Sequence, residues 1–207
     1  MANFSIHLLL LLSSHYMLAM ANSATNSNPD STNFIKKSCR ATRYPALCIQ
    51  SLSSHASTIR QSELQLAQVA LAVSLSRAQS AASFISKLPK MKGIKPREYR
   101  ATKDCIEIMG DSVDQLSRSI KELGGMRRRV AGEDFAWHVS NVQTWVSAAL
   151  TNENTCLDGF SGPSMNGNAK VAIRKRVLNV AQVTSNALAL VNRFAARHGF
   201  AETTNLP

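Results

Sequence analysis

The sequence predicts an all-α protein, an up-down-up-down four-helix bundle that follows an N-terminal helical hairpin and contains two disulfides. Three observations predict this fold. Hydrophobic residues make up 44% of the 207 residues but aromatic residues only 6%, so the core is expected to be aliphatic. Nine glycines and six prolines leave long stretches uninterrupted. Apolar residues recur at steps of three and four in four segments, which is typical of amphipathic helices packed side by side.

Residues 1–23 are expected to be a secretory signal peptide. The apolar run from His7 to Leu12 is too short for a membrane span, and Ala19-Met20-Ala21 provides the small-x-small pattern of a cleavage site. The usual basic start is missing, and a membrane anchor is the less favoured alternative. Residues 24–31 are polar and are expected to be disordered.

Secretion would place the four cysteines in an oxidising compartment, where disulfides form. Four cysteines allow three pairings. Cys39 and Cys48 are nine residues apart with Tyr44-Pro45 at the bend between them, which predicts a local pair within a helical hairpin over residues 32–60. Cys105 and Cys156 remain as the second pair. Zinc is the rival interpretation, but the spacings match no familiar ligand pattern.

The four bundle segments are expected within residues 61–200. Short connections over residues 89–96, 124–132 and 159–168 force neighbouring helices to be antiparallel. Whether the second helix continues past Gly124-Gly125 is left open, because each glycine disfavours helix by about 1 kcal/mol. The apolar stripes of the successive segments are Leu64, Leu71, Leu75, Ala78, Ala82 and Ile85; Cys105, Met109, Val113, Leu116, Ile120 and Leu123; Phe135, His138, Val142, Trp145 (or Val146) and Ala149; and Ile173, Val177, Val180, Thr184, Ala187, Val191 and Phe194.

The third segment is expected to leave the helix in a polar turn. Asn152 to Thr155 carry the side chains that favour stops and turns, and Asp158-Gly159 is a turn pair. Cys156 would attach this turn to the second helix.

No arrangement of residues predicts catalysis. The three histidines beyond the signal, His55, His138 and His198, are scattered, and His138 is expected to be a hydrogen-bonded histidine at the edge of the core. There is no G-x-S-x-G nucleophile elbow. We therefore expect no enzymatic activity, no cofactor and no metal.

The formal net charge is +11, which attracts polyanions without selecting one. The run Arg127, Arg128 and Arg129 is interpreted as a solvated helix end, with a polyanion contact as the alternative. Against this background Glu107, Asp111 and Asp114 stand out, because steps of four and three place them on one helix face. This acidic row reverses the sign of the local electrostatic field on a protein with a net positive charge, and it is a candidate site for docking a partner.

Several features together resemble the plant invertase and pectin methylesterase inhibitor family over residues 32–200. The resemblance implies a four-helix bundle with a helical hairpin and with first-to-second and third-to-fourth disulfides. The matching features are Tyr44-Pro45 between the first two cysteines, Asp104-Cys105-Ile106-Glu107 followed by Asp111, Asp114 and Leu116, the segment SAALTNENTCLDGF, and Ser185-Asn186-Ala187-Leu188.

The resemblance also implies a target. Invertase inhibitors of the family typically carry a Pro-Lys-Phe motif after the second bundle helix, whereas this connection reads GGMRRRVAGEDF. The segment TWVSAALTNENTCLDGF resembles that of the family members that inhibit pectin methylesterase. This resemblance implies a secreted inhibitor in the apoplast and cell wall that caps the enzyme's cleft. By resemblance, the docking residues are Glu107, Asp111, Asp114, Thr155 and Asp158. Met109 departs from the family pattern, in which an aromatic residue is common at this position.

Two alternatives remain at this point. One is an acid invertase inhibitor on the same scaffold. The other is a basic wall protein that holds anionic, de-esterified pectin through Arg127, Arg128 and Arg129. Neither nucleic acid nor, once the signal is removed, a membrane is an expected partner.

Overall fold

The computed structural model describes residues 29–90, 93–126, 133–163 and 165–199, and these form helices joined by turns and short connections, with no strand. The all-α prediction is therefore confirmed. The predicted signal peptide and the run Arg127, Arg128 and Arg129 lie outside the described residues. No described helix is long and apolar enough to cross a membrane.

The N-terminal hairpin consists of α1 (Pro29–Cys39) and α2 (Pro45–Leu52), followed by a 3-10 turn (Ser53–His55) and the short α3 (Ala56–Ile59). Helix α1 begins inside the stretch 24–31, so the prediction of disorder is wrong for residues 29–31. Proline suits the first turn of a helix, Asp30 complements the helix dipole there, and Ser31 is buried. These local preferences act together with burial of Ile35 on the bundle.

The four long helices are α4 (Glu63–Ile85), α5 (Pro96–Gly125), α6 (Glu133–Asp158) and α7 (Asn168–Gly199). The Ser62 hydroxyl caps α4 by accepting from the amide of Gln65 at 3.3 Å, and Pro96 opens α5. A 3-10 turn (Leu88–Lys90) follows α4. Helix α5 extends through the glycine pair and is bounded at Gly125. The stretch to Arg129, into which the sequence left a continuation open, lies outside the described residues.

The helices pack in sequence order around the bundle. Each contacts the next, and α7 closes the ring against α4. The outer groove between α5 and α6 therefore lies on the opposite side of the bundle from the groove between α4 and α7. The hairpin packs mainly against α4 and α7.

The core follows the predicted apolar stripes. Every stripe residue of α7 is buried, and in α6 the buried alternative is Val146, while Trp145 is half-buried. Serines also contribute to the buried face of the helices: Ser74 and Ser119 are fully buried, and their hydroxyls donate to the carbonyl oxygens of Ala70 (3.0 Å) and Gln115 (2.8 Å). A small side chain that satisfies its hydroxyl on its own helix allows close packing without leaving a buried donor unpaired.

Helix α6 does not stop at the polar segment from Asn152 to Thr155, so the prediction of a turn there is wrong. The helix runs on to Asp158. The polar side chains bond back to their own helix: Asn154 Nδ2 donates to the Leu150 oxygen at 3.0 Å and Thr155 Oγ1 to the Thr151 oxygen at 2.9 Å. Side chains that favour turns are compatible with helix when tertiary burial holds the segment, and Glu153 and Cys156 are buried here.

The disulfides are Cys39–Cys48 and Cys105–Cys156, the two pairs expected from the spacing, with Cα–Cα distances of 5.6 and 4.8 Å. The first closes the hairpin and the second joins the start of α5 to the end of α6. A reciprocal pair of hydrogen bonds fixes the hairpin bend to α7: Asn186 Oδ1 accepts from the Tyr44 amide at 3.0 Å, and Asn186 Nδ2 donates to the Tyr44 carbonyl at 2.9 Å.

We expect loss of the longer disulfide loop to destabilise the fold more than loss of the shorter one. The sequence separations are 51 and 9 residues, which correspond in the loop-entropy treatment to about 4 and about 2.5 kcal/mol. Thermal melts followed by circular dichroism would compare Cys105→Ser/Cys156→Ser with Cys39→Ser/Cys48→Ser, a matched pair in which each variant removes two buried cysteines. A larger drop in melting temperature for Cys39→Ser/Cys48→Ser would contradict the expectation.

Candidate docking surface

The acidic row lies on the solvent face of α5. Glu107, Asp111 and Asp114 are all exposed, and they alternate with the buried Cys105, Met109, Ser112 and Leu116 on the inner face. At 1.5 Å per residue the three carboxylates span about 10 Å along the helix. The structure therefore places this predicted set as one exposed row beside the apolar stripe.

Thr155 and Asp158 occupy the end of α6, on either side of the disulfide cysteine. Both are exposed. Because α5 and α6 are antiparallel and bridged by Cys105–Cys156, this end of α6 lies level with the first half of α5. The Asp158 carbonyl accepts from the amide (3.0 Å) and hydroxyl (2.7 Å) of Ser161, which holds the chain as it leaves the helix.

A groove of about 500 Å³ runs over the disulfide between these two helices. Thr155 and Asp158 line it together with Asp104 and Ile108 from α5, and Arg97 and Arg100 line it nearer the start of α5. Glu107, Asp111 and Asp114 are not among its lining residues. The five predicted residues thus form two adjoining parts of one surface: a grooved end, and an acidic row that continues along α5.

A buried carboxylate fixes the connection that borders this groove. Glu98 is 1% exposed, and its Oε1 accepts from the Gly167 amide at 2.8 Å. The space beside Gly167 is filled by that carboxylate, since a Cβ there would lie 2.1 Å from Glu98 Oε2. Lys95 Nζ also donates to Asn166 Oδ1 at 2.5 Å. These contacts tie the start of α5 to the start of α7 and hold Met165 at the groove wall.

Two residues of this surface were missed by the sequence reasoning. Asp104 lines the groove and is exposed, and its position three residues before Glu107 is the signal that could have added it to the row. Trp137 is 67% exposed on α6, at the end of the helix far from the groove. Helical spacing puts it on the same face as Thr144, Thr151 and Thr155, a relation that becomes visible once the inner face of α6 is known.

Met109, the departure from the family pattern, is fully buried. It belongs to the core between the helices and leaves the exposed surface unchanged. His138 is half-buried with its Nδ1 2.5 Å from Glu122 Oε1, which agrees with the expectation of a hydrogen-bonded histidine at the core edge. The described residues contain no group of His, Cys, Asp or Glu that could hold a metal ion.

The sequence matches the profile of a protein family. The sequence profile of the plant invertase/pectin methylesterase inhibitor family matches residues 33–190. The chain belongs to this family.

Named relatives cover almost the whole chain. A protein called Pectinesterase inhibitor 9 from Arabidopsis thaliana is 53% identical over 93% of this chain and 95% of its own length. A 21 kDa protein from Daucus carota is 50% identical over 91% of this chain and 95% of its own length. A crystal structure of a mutant form of a pectin methylesterase inhibitor from Arabidopsis covers 74% of this chain and 92% of that protein, with a TM-score of 0.59 and 19% identity, and so supports the fold.

This family member also carries a buried carboxylate behind the candidate docking surface. Glu153 is fully buried, and its Oε1 accepts hydrogen bonds from Ser112 on α5 (2.8 Å) and Thr184 on α7 (3.0 Å). Its Oε2 has no hydrogen-bond partner among the described residues. Burial raises the pKa of Glu153 from 4.5 to about 7, although the two hydroxyl donors oppose the rise.

We expect Glu153 to make the inhibitor-family fold more stable in acid. Between about pH 4.5 and about pH 7 the folded chain binds a proton at Glu153 that the unfolded chain does not, so the free energy of unfolding falls as pH rises through this window. The full change is about 3 kcal/mol, or roughly 10 °C in melting temperature. Thermal melts across the window would detect it.

Glu153→Gln removes the titrating group and should flatten this pH dependence. Glu107→Gln is the matched control, because it makes the same chemical change at an exposed position of α5. A Glu153→Gln variant that retained the full slope would show that another group is responsible.

Proposed function

We propose that this chain is a secreted inhibitor of pectin methylesterase that docks the α5–α6 face against the enzyme's substrate cleft and performs no catalysis itself. The observation that carries the proposal is the 53% identity, over nearly the full length of both chains, to a protein named Pectinesterase inhibitor 9. Inhibition would regulate the removal of methyl esters from cell-wall pectin. The apolar residues 8–12 and the cleavage pattern at Ala19-Met20-Ala21 support secretion to the apoplast and cell wall.

The α5–α6 face is suited to a cleft because it is rigid and chemically distinct from the rest of the surface. Both helices are long, and a disulfide joins them at the groove. Ten of the chain's 13 carboxylates lie on these helices, six on α5 and four on α6. A preorganised, polar surface loses little conformational entropy on binding.

The contacts we propose divide between the two parts of this surface. Thr155 and Asp158 would meet the enzyme at the groove together with Asp104, and Glu107, Asp111 and Asp114 would meet it along α5. Trp137 would add an apolar anchor at the far end, since exposed tryptophans are frequent energetic centres of interfaces.

The decisive experiment compares two enzymes. We expect the purified chain to inhibit a plant pectin methylesterase and to leave an acid invertase unaffected, because the Pro-Lys-Phe motif is absent from the connection after α5. The chain alone should hydrolyse neither pectin nor sucrose. Inhibition of the invertase alone would instead assign the alternative target within the family, and turnover abolished by a point mutation in this chain would refute the non-catalytic role.

The acidic row is expected to make inhibition stronger in mild acid. If it approaches carboxylates of the enzyme's cleft, like charges are brought together and partly dehydrated, so the complex takes up protons as it forms. A change of about 1.4 kcal/mol corresponds to tenfold in the inhibition constant. Glu107→Gln, Asp111→Asn and Asp114→Asn should reduce this pH dependence, measured as the inhibition constant from mildly acidic to mildly alkaline pH.

Asp30→Asn is the matched control for these variants. Asp30 is exposed in the first turn of α1, on the hairpin that packs mainly against α4 and α7, and its substitution should leave the slope unchanged. A flat pH profile, or amide variants that keep the full slope, would contradict docking through the row.

A further inference from the structure

Charge is segregated among the four long helices. Helix α7 carries six Lys and Arg and no carboxylate, whereas α6 carries four carboxylates and neither Lys nor Arg. Helix α4 has one charge of each sign, Glu63 and Arg77. The hairpin that packs on α4 and α7 contains five cations and one carboxylate over residues 29–60. Helix α5 carries five Lys and Arg against six carboxylates. Net positive charge is thus concentrated on the side of the bundle opposite the α5–α6 face.

A second groove of about 500 Å³ lies between α4 and α7 on this basic side. Arg77 lines it from α4, and Lys175 and Arg176 line it from α7. Ser80, Asn179 and Gln182 contribute hydroxyl and amide groups to the same walls. The groove therefore combines three cations with neutral hydrogen-bonding groups.

Two of the cations are held in place before any ligand binds. Arg77 donates to Asn179 Oδ1 at 2.6 Å and to the Ser51 hydroxyl at 3.0 Å, so it links α4 to α7 and to the hairpin. The Arg176 guanidinium lies 3.5 Å from the centroid of the Phe84 ring, a cation–π contact between α7 and α4. Fixed cations lose less side-chain entropy on binding than free ones.

The positive field of the groove is not cancelled locally. In the described parts of the chain, none of Arg77, Lys175 and Arg176 forms an ion pair with a carboxylate. Glu63, which is the carboxylate of α4, is bound by Arg193 (3.2 Å) and Arg197. Cations that stay unneutralised on a fixed scaffold attract an extended anion more strongly than the net charge alone would.

We propose that the α4–α7 groove binds a linear polyuronate, the de-esterified pectin that pectin methylesterase produces, while the α5–α6 face remains free for the enzyme. Arginine and lysine match carboxylates spaced along a chain, and the amide and hydroxyl side chains match the sugar hydroxyls. The choice of this polyanion rests on the proposed function. Binding of the product would retain the inhibitor where de-esterification has occurred.

The test measures binding of the full chain to polygalacturonate and to fully methyl-esterified pectin at low and at physiological ionic strength. The native chain should bind the first and not the second, with affinity that falls as salt is added. Lys175→Gln/Arg176→Gln should weaken binding by at least about tenfold, because it removes two of the three cations that line the groove. Lys175→Gln alone changes one exposed side chain and should also weaken binding. This single variant provides the test if the double variant folds poorly.

Arg118→Gln/Lys121→Gln is the matched control, since it makes the same change in net charge at exposed positions of α5. The control variant should bind polygalacturonate like the native chain. An equal loss of affinity for polygalacturonate in the groove variant and the control variant would show that binding depends only on net charge and would overturn the proposal. Equal binding of the methyl-esterified polymer by the native chain would also overturn it. Tighter binding to phosphatidylserine vesicles than to polygalacturonate at the same ionic strength would overturn it in favour of a membrane surface.

Inhibition of pectin methylesterase by the same variants separates the two proposals. The groove variant should keep its inhibition constant, because α4 and α7 face away from the proposed docking surface. Native protein that binds polygalacturonate through the groove but fails to inhibit the enzyme would refute the proposed function and leave the groove assignment standing. Inhibition that weakens in step with polyuronate binding would overturn the assignment of two separate faces.

Discussion

The antiparallel pairing of α5 with α6 is the constraint on which the candidate docking surface depends. The Cys105–Cys156 disulfide fixes the register of the two helices, with 4.8 Å between the Cα atoms. Behind it, Glu153 joins three helices by accepting from Ser112 and Thr184. Covalent and buried polar contacts at one level of the bundle leave the outer groove little freedom to change shape.

The buried carboxylates contribute in different ways. Glu98 has a backbone amide partner and organises the connection before α7. Glu153 is more costly to bury, because one of its oxygens has no partner among the described residues. Its raised pKa means that the neutral form, which is the cheaper one to bury, predominates in an acidic compartment.

The two faces of the bundle differ in charge because charged residues are distributed unevenly among the helices and the helices pack in sequence order around a ring. Carboxylates concentrate on α5 and α6, whereas α7 and the hairpin together carry eleven Lys and Arg and one carboxylate. Because the helices pack in this order, the groove between α5 and α6 and the groove between α4 and α7 lie on opposite sides of the bundle. A protein with a large net positive charge can in this way present an acidic row to one partner and a basic groove to another.

Sequence alone determined the fold class, because apolar steps of three and four over long uninterrupted segments are compatible with little except packed helices. It also predicted the local Cys39–Cys48 disulfide and the exposed row of Glu107, Asp111 and Asp114, since these depend on spacing along one chain segment, and it left Cys105–Cys156 as the remaining pair. The continuation of α6 through Asn152 to Thr155 could not be predicted in this way, because local side-chain preference there is outweighed by burial of Glu153 and Cys156.

Only the tertiary structure decided how separate helices meet. Asp104 borders a groove whereas Glu107 does not, and this depends on the rotation of α5 relative to α6. Trp137 is exposed while Trp145 is half-buried, because packing selects which side of α6 faces its neighbours. Arg77 and Arg176, almost a hundred residues apart in the sequence, line the same groove because α7 packs against α4. Periodicity defines a face on each helix, but the contacts between faces depend on rotations and distances that one segment does not encode.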